Sequence, residues 1–234
     1  MLTEELLKFS QTLQLSAIGI APAIRYENAP EGHRPKDFLP NARSVITFAY
    51  HLNNGPINNL PQTRNQYMIE FDVANRILLE AAHKIARFLE IRGFESIPFG
   101  PEAAIGDYSR LKGDFSHKHS AVLCGLGKFG INNLLITPAY GPRVRLASVI
   151  TTAELKYNEP LTGDFCKKCL RCVKICPTGA LENWEKNYSP ETGWTINKEK
   201  CAHYIFVVNS GKRCGLCVSA CPYPVQNCNG KRNI

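Results

Sequence analysis

Nine of the ten cysteines lie beyond residue 160, in two short-spaced sets. The first reads Cys166-x2-Cys169-x2-Cys172-x3-Cys176-Pro177. The second reads Cys214-x2-Cys217-x3-Cys221-Pro222, with Cys201 thirteen residues before Cys214. In the bacterial ferredoxin run, three thiolates at this spacing wrap one cluster, and the fourth, ahead of proline, ligates the other. That cross-over assigns Cys166, Cys169, Cys172 and Cys221 to one [4Fe–4S] cluster. It assigns Cys176, Cys201, Cys214 and Cys217 to a second. A four-thiolate zinc site also uses C-x2-C pairs. The third cysteine at x2, the two Cys-Pro steps and a total of eight thiols favour iron and sulfur. Two clusters that exchange a ligand form an electron wire. Cys124 reads as a small buried hydrophobe and Cys228 as a free thiol.

Clustered cysteines are unlike a disulfide framework, which spreads through the region it staples, so they point to metal chemistry in a reducing cytoplasm. The formal charge of +8 is uneven: residues 1–160 carry 17 bases and 15 acids, residues 161–234 carry 11 and 5. Clusters of net charge about −2 each would offset much of that excess, so charge alone does not make this a nucleic-acid protein, and a docking face for acidic partners stays open. With 44% hydrophobic and 21% charged residues, the composition is that of a globular chain. It has no apolar run of 18 residues to span a membrane, and its acidic Met1-Leu-Thr-Glu-Glu start is unlike a signal peptide.

A two-cluster ferredoxin needs only about 60 residues, so the preceding 160 must hold what the electrons serve. Thr3 to about Gln14 is a predicted helix, with Leu2, Leu6, Phe9 and Leu13 at helical spacing. Leu15–Ala21 and Val45–Tyr50 are short apolar runs between turn residues and read as strands. Glu27–Pro40 and Asn53–Arg64 read as loops. The clearest helix runs from about Gln66 to Arg92, its stripe being Phe71, Ala74, Leu78, Ala82, Ile85 and Leu89, with Gly93 as its stop. Glu95–Phe99 and Arg143–Thr152 read as strands. The mixture implies a layered α/β or α+β domain, giving way near 158–163 to the cysteine-rich part: domains 1–160 and 161–234.

Gly125, Gly127 and Gly130 spell G-x-G-x-x-G, but a dinucleotide turn opens a long helix, and Pro138 and Pro142 leave about seven residues for one. The glycines still require backbone to approach something closely, either another element or a flat ligand. His117 and His119 could approach a metal or donate to a substrate, or serve as structural hydrogen-bonding groups. Asp114 and Tyr108 are candidate proton donors, Asp114 equally a turn residue. Arg143 and Arg145, on one face of a strand with Ala147, could meet amides or a phosphate, or simply face solvent.

The run Ala-Val-Leu-Cys124-Gly-Leu-Gly-Lys-Phe-Gly-Ile-Asn-Asn133, the Arg143–Thr152 strand and the cysteine pattern with Cys201-Ala-His-Tyr204 resemble epoxyqueuosine reductase and the related core of reductive dehalogenases. The resemblance implies an α+β chain: a nitroreductase-like α/β sandwich binding base-off cobalamin, then a bacterial-ferredoxin-like domain with two [4Fe–4S] clusters. It implies that electrons pass through the clusters to cobalt, which reduces the substrate. Gly125, Leu126, Gly127, Lys128 and Gly130 carry over as the corrinoid-contacting loop, with Asp114, His117 and Arg143 as further cofactor contacts. The chain departs from the family in having Leu111-Lys-Gly-Asp114 where an Asp-Ser-Gly-Pro-like segment supplies a general acid. It also lacks the helical-repeat extension of the transfer-RNA enzyme, and both departures argue against epoxyqueuosine in transfer RNA as the substrate; the twin-arginine leader typical of respiratory dehalogenases is absent as well. The expected partners are a small-molecule substrate or a corrinoid protein, and an external donor such as a ferredoxin or flavodoxin. The alternatives are a flavin in the same fold, favoured by an N-terminal Arg/Ser phosphate site, and an electron carrier with no organic cofactor.

Overall fold

The computed structural model describes residues 2–102, 111 and 113–223. Tyr108 and Cys228 lie outside them. Helix α1 (Leu2–Ser10) leads into β1 (Ala17–Pro22); α2 (Pro35–Phe38), β2 (Ser44–His51) and α3 (Asn54–Asn58) precede the long α4 (Arg64–Glu90). Then come β3 (Ser96–Phe99), α5 (His117–Leu123), the two-residue strands β4 (Lys128–Phe129) and β5 (Leu135–Ile136), and β6 (Val144–Thr151). The cysteine-rich part carries three short helices, α6 (Arg171–Ile175), α7 (Lys198–His203) and α8 (Leu216–Ser219).

Four strands pair antiparallel in the order β1-β2-β6-β3. β2 and β6 occupy the middle, and packing on both faces buries six of the eight residues of each. Ile46, Phe48, Ala147 and Val149 point to one side, where Leu6 of α1 and Leu78, Ala82, Ile85 and Leu89 of α4 meet them. Val45, Ala49, Leu146 and Ile150 point to the other, against Ala121, Val122 and Cys124 at α5. The expected α4 stripe is buried throughout. The helix ends as expected at Gly93 (φ +85°): the N–H of Phe94 reaches the Leu89 carbonyl and that of Gly93 the Glu90 carbonyl, a Schellman closure.

Both expected loops contain helix. In the first, Pro35 opens α2 and the Asp37 carboxylate accepts from the Arg34 N–H at 2.9 Å; in the second, α3 forms at Asn54–Asn58. Helices of one turn bury too few residues to leave a periodic signature.

The cysteine-rich part packs on the β4–β5 hairpin and the start of α4. Tyr188 donates to the Phe129 carbonyl (2.7 Å) and the Trp194 indole to the Ile131 carbonyl (3.0 Å). Val218 of α8 shares a core with Leu52, Ile57, Tyr67 and Phe71, and Cys217 packs against both this core and the one around Ile131, Cys172 and Leu181. Ahead of it, Asn158 is tied to β1 through reciprocal bonds with Ile20, each 2.8 Å.

Candidate functional site

The thiols gather as their spacing requires. Cys166, Cys169, Cys172 and Cys221 line one pocket together with Ile131, Asn132 and Ile136. The electrostatic neighbours of Cys217 are Cys214, Cys201, Cys172 and Cys176, so the second quartet lies beside the first. None of the nine described cysteines is in a disulfide. Burial and then the neighbouring thiols push Cys172 and Cys217 up to about 12, and raise Cys201 and Cys221. Thiols that oppose one another's ionisation become thiolates only with cationic metal among them. Cys176 is the exception. Burial raises it, but N–H groups of Thr178, Ala180 and Leu181 and the Thr178 hydroxyl bring it below the usual value, the donor shell that a ligating sulfur uses. Among the described residues no three His, Cys, Asp or Glu side chains are close enough to hold a single metal ion. The first quartet stands around one pocket, and eight thiols in two quartets are the ligand set that two four-iron clusters would use.

A cavity of about 1070 Å³ opens between α5, the β4–β5 hairpin, β6 and the loop after β1. It is at the upper end of the size range of small-molecule sites. Phe115, Val122, Leu134, Leu135, Val144 and Leu146 give it apolar walls, and Lys118, Lys128 and Arg145 supply charge. Lys118 connects the two regions. Its ammonium donates to the Asn133 carbonyl (2.8 Å) and stands within electrostatic reach of Cys217. Burial holds it down to about 8, against the pull of that thiol.

The expected cofactor residues divide. His117 and Lys128 line the cavity, whereas Asp114, Gly125, Leu126, Gly127, Gly130 and Arg143 do not. Lys128 is committed to Glu191 at 3.0 Å, with its side chain 5% exposed. At their Cβ positions the glycines of the expected corrinoid-contacting loop are answered by protein. A Cβ on Gly125, at φ +73°, would strike the Glu159 carbonyl, and one on Gly127 the Ile136 carbonyl; Gly130 lies against the Ile136 side chain. Leu126 is a core residue. Arg143 precedes β6 and donates to the side-chain oxygens of Asn54 (2.9 Å) and Asn58 (2.7 Å), turned away from the cavity. Arg145 is not on a solvent face either: it donates to Asn75 (2.9 Å) and lies over the Phe71 ring.

His117 accepts from the Ser148 hydroxyl at Nδ1 (2.9 Å) and donates to the Gly100 carbonyl at Nε2 (2.7 Å); burial takes it down to about 4, so it is neutral. His119 is likewise engaged at both nitrogens, by Ser116 and Thr192. Neither has a lone pair left for a metal. The Asp114 carbonyl contacts His33 (2.6 Å). Cys124 is buried among Tyr26, Ser120 and the Val45 carbonyl. Arg25, an N-terminal cation in the cavity wall, pairs with Glu159 and donates to the Asn158 carbonyl. Tyr26, His33, Glu191, Thr192 and Lys198 join the cavity wall from distant parts of the chain, and no local spacing marks them.

The thiol quartets define a chain of the 4Fe–4S class. Residues 165–225 match the family model described as a 4Fe-4S dicluster domain. More particularly, the chain is a homologue of reductive dehalogenases and epoxyqueuosine reductases. It is 30% identical over 209 residues to a tetrachloroethene reductive dehalogenase of Desulfitobacterium hafniense, covering 83% of this chain and 35% of that one. It is 29% identical over 224 residues to an epoxyqueuosine reductase of Gloeobacter violaceus, covering 88% of this chain and 64% of that one. Its fold is shared with the structure of a reductive dehalogenase described as suggesting a mechanism for B12-dependent dehalogenation: TM-score 0.73, 18% identity, 94% of this chain and 31% of that one. The chain thus spans about a third to two thirds of these relatives. No helix among the described residues is long and apolar enough to cross a membrane.

Proposed function

We propose that this chain is a reductase in which a nitroreductase-like domain, residues 1–160, binds a corrinoid in the cavity and a domain of residues 161–234 holds two [4Fe–4S] clusters. The observation that carries the reading is the adjacency of a large apolar cavity to one thiol quartet, with Lys118 between them. The homology to reductases described as acting on chlorinated solvents and on epoxyqueuosine supports it. When bound, the clusters supply single electrons and the corrinoid a strongly nucleophilic, reducible metal.

The chain's own residues do the rest. The eight thiols hold the clusters. Phe115, Val122, Leu134, Leu135 and Val144 exclude water from a flat face laid on them, and Lys118 places positive charge where electrons cross from Cys217 to the cavity. His117, held neutral and bonded at both nitrogens, shapes the wall without ligating. The apolar residues would supply the contact surface for a corrinoid held without its own base on the metal. The substrate is a small molecule or the corrinoid of another protein.

Anaerobic titration of the cluster-loaded protein with cob(II)alamin tests this. Saturable binding with a base-off paramagnetic spectrum is the expected result. No binding by a chain that carries eight irons would sink the corrinoid and leave an electron carrier.

A further inference from the structure

Electrons bound for the cavity must enter at the surface. Of the nine described thiols only Cys169 is exposed. Its quartet is the outer one: Cys172 neighbours Cys217, and Cys217 lies beside Lys118 and packs against Leu134, both in the cavity wall. Neighbour to neighbour, the path runs Cys169, Cys172, Cys217, Lys118, cavity.

Cys169 sits in a basic surface. Lys167, Lys168, Arg171 and Lys174 are all exposed, and the segment 165–176 contains no acid. Lys168 pairs with Asp164 at 3.2 Å; among the described residues Lys167, Arg171 and Lys174 make no ion pair. Ile175, 40% exposed, adds an apolar contact beside them. A single-sign patch of this kind steers an oppositely charged protein and raises its encounter rate. It offers little to single-stranded RNA, which needs exposed rings for its bases: the nearby Phe165 is half-buried and packed towards Tyr223.

We propose that the surface formed by Lys167, Lys168, Arg171 and Lys174 is the docking site of a small acidic electron-carrier protein, which delivers electrons to the cluster held by Cys166, Cys169, Cys172 and Cys221. The inference rests on the reductase reading above. In each encounter the reduced carrier loses one electron and the cluster gains one. No proton or group moves, and two encounters supply a two-electron reduction.

The test uses the cluster-loaded protein, with iron counted, and an acidic [2Fe–2S] ferredoxin as probe. Calorimetry gives the affinity and anaerobic stopped-flow the transfer rate, each at low and physiological salt. The double reversal Arg171→Glu, Lys174→Glu is expected to lower the low-salt rate at least about tenfold, within the range of electrostatic steering, and to flatten its salt dependence. Dithionite, which needs no docking, should still reduce the variant fully. Unchanged affinity and rate with intact iron content overturn the assignment. So does a loss confined to Phe206→Ser and Val207→Ser, which alter the exposed apolar turn after α7. Binding of a transfer-RNA stem-loop, with no binding of ferredoxin, overturns it too. A wild-type chain that takes up no iron sinks the reductase reading together with the docking site, an outcome that patch failure alone does not produce.

Discussion

Replacing Lys118 with Met removes a buried positive charge from beside Cys217 while keeping the length and volume of the side chain. Two unit charges at an effective dielectric of about 20 interact by about 4 kcal/mol at 4 Å, and by about half that at twice the separation. A reduced cluster carries one more negative charge than an oxidised one, so the ammonium favours reduction. At about 2 kcal/mol its loss lowers the potential of the inner cluster by about 90 mV, since about 59 mV corresponds to a tenfold change for one electron. Anaerobic potentiometry followed by paramagnetic resonance reads this directly, and Lys118→Arg restores most of it. The same lysine gives a pH signature. Burial, against the pull of the Cys217 thiol, sets it to about 8, and the negative charge of a nearby cluster would raise that value. The wild-type potential therefore falls as pH rises past the lysine's titration at or above pH 8, whereas the Met variant stays level. Indistinguishable potentials in the two proteins, with no pH dependence in either, would refute the placement of Lys118 between cluster and cavity.

Cys169→Ser and Cys217→Ser each remove a ligand of a different cluster, so each should lower the iron content by about four per chain, measured after anaerobic reconstitution. His117 titrates near 4 in the folded chain against about 6.5 unfolded. The unfolded state therefore binds the extra proton first, and stability is lost as pH falls from about 6.5 to 4. The loss reaches about 3 kcal/mol at full effect; denaturant melts at pH 4 to 7 should show it, and His117→Asn should reduce the slope. Gly125→Ala forces a side chain onto the Glu159 carbonyl at positive φ and should cost on the order of 2 kcal/mol or more of stability. A full-stability Gly125→Ala that loses only corrinoid binding would return the loop to ligand contact.

Long, repeated signals in the chain were readable and short ones were not. Helix α4 has seven turns in which to repeat its apolar stripe, so its ends fall within two residues of their expected positions. Helices α2 and α3 are single turns without a period. Helix α5 begins His-Lys-His, polar residues that turn inward to Ser148, Asn133 and Thr192, and nothing local announces that burial. The cysteines were legible because a cluster imposes spacing on its own ligands. The cavity is assembled from segments over a hundred residues apart, and each contributes a residue of ordinary type. The glycine triplet was legible only as close approach of backbone, which looks the same in sequence whether the neighbour is a ligand or, as at the Cβ positions here, Glu159 and Ile136.

Cys217 packs into two cores at once, one shared with the start of α4 and the other with the segment carrying Cys172 and Leu181. Metal uptake is therefore coupled to folding well beyond the cysteine-rich part, because the binding free energy of a cluster counts towards the stability of every element sharing those cores. Iron scarcity in a cell would then act on how long the chain survives proteases rather than on how many intact molecules stand idle.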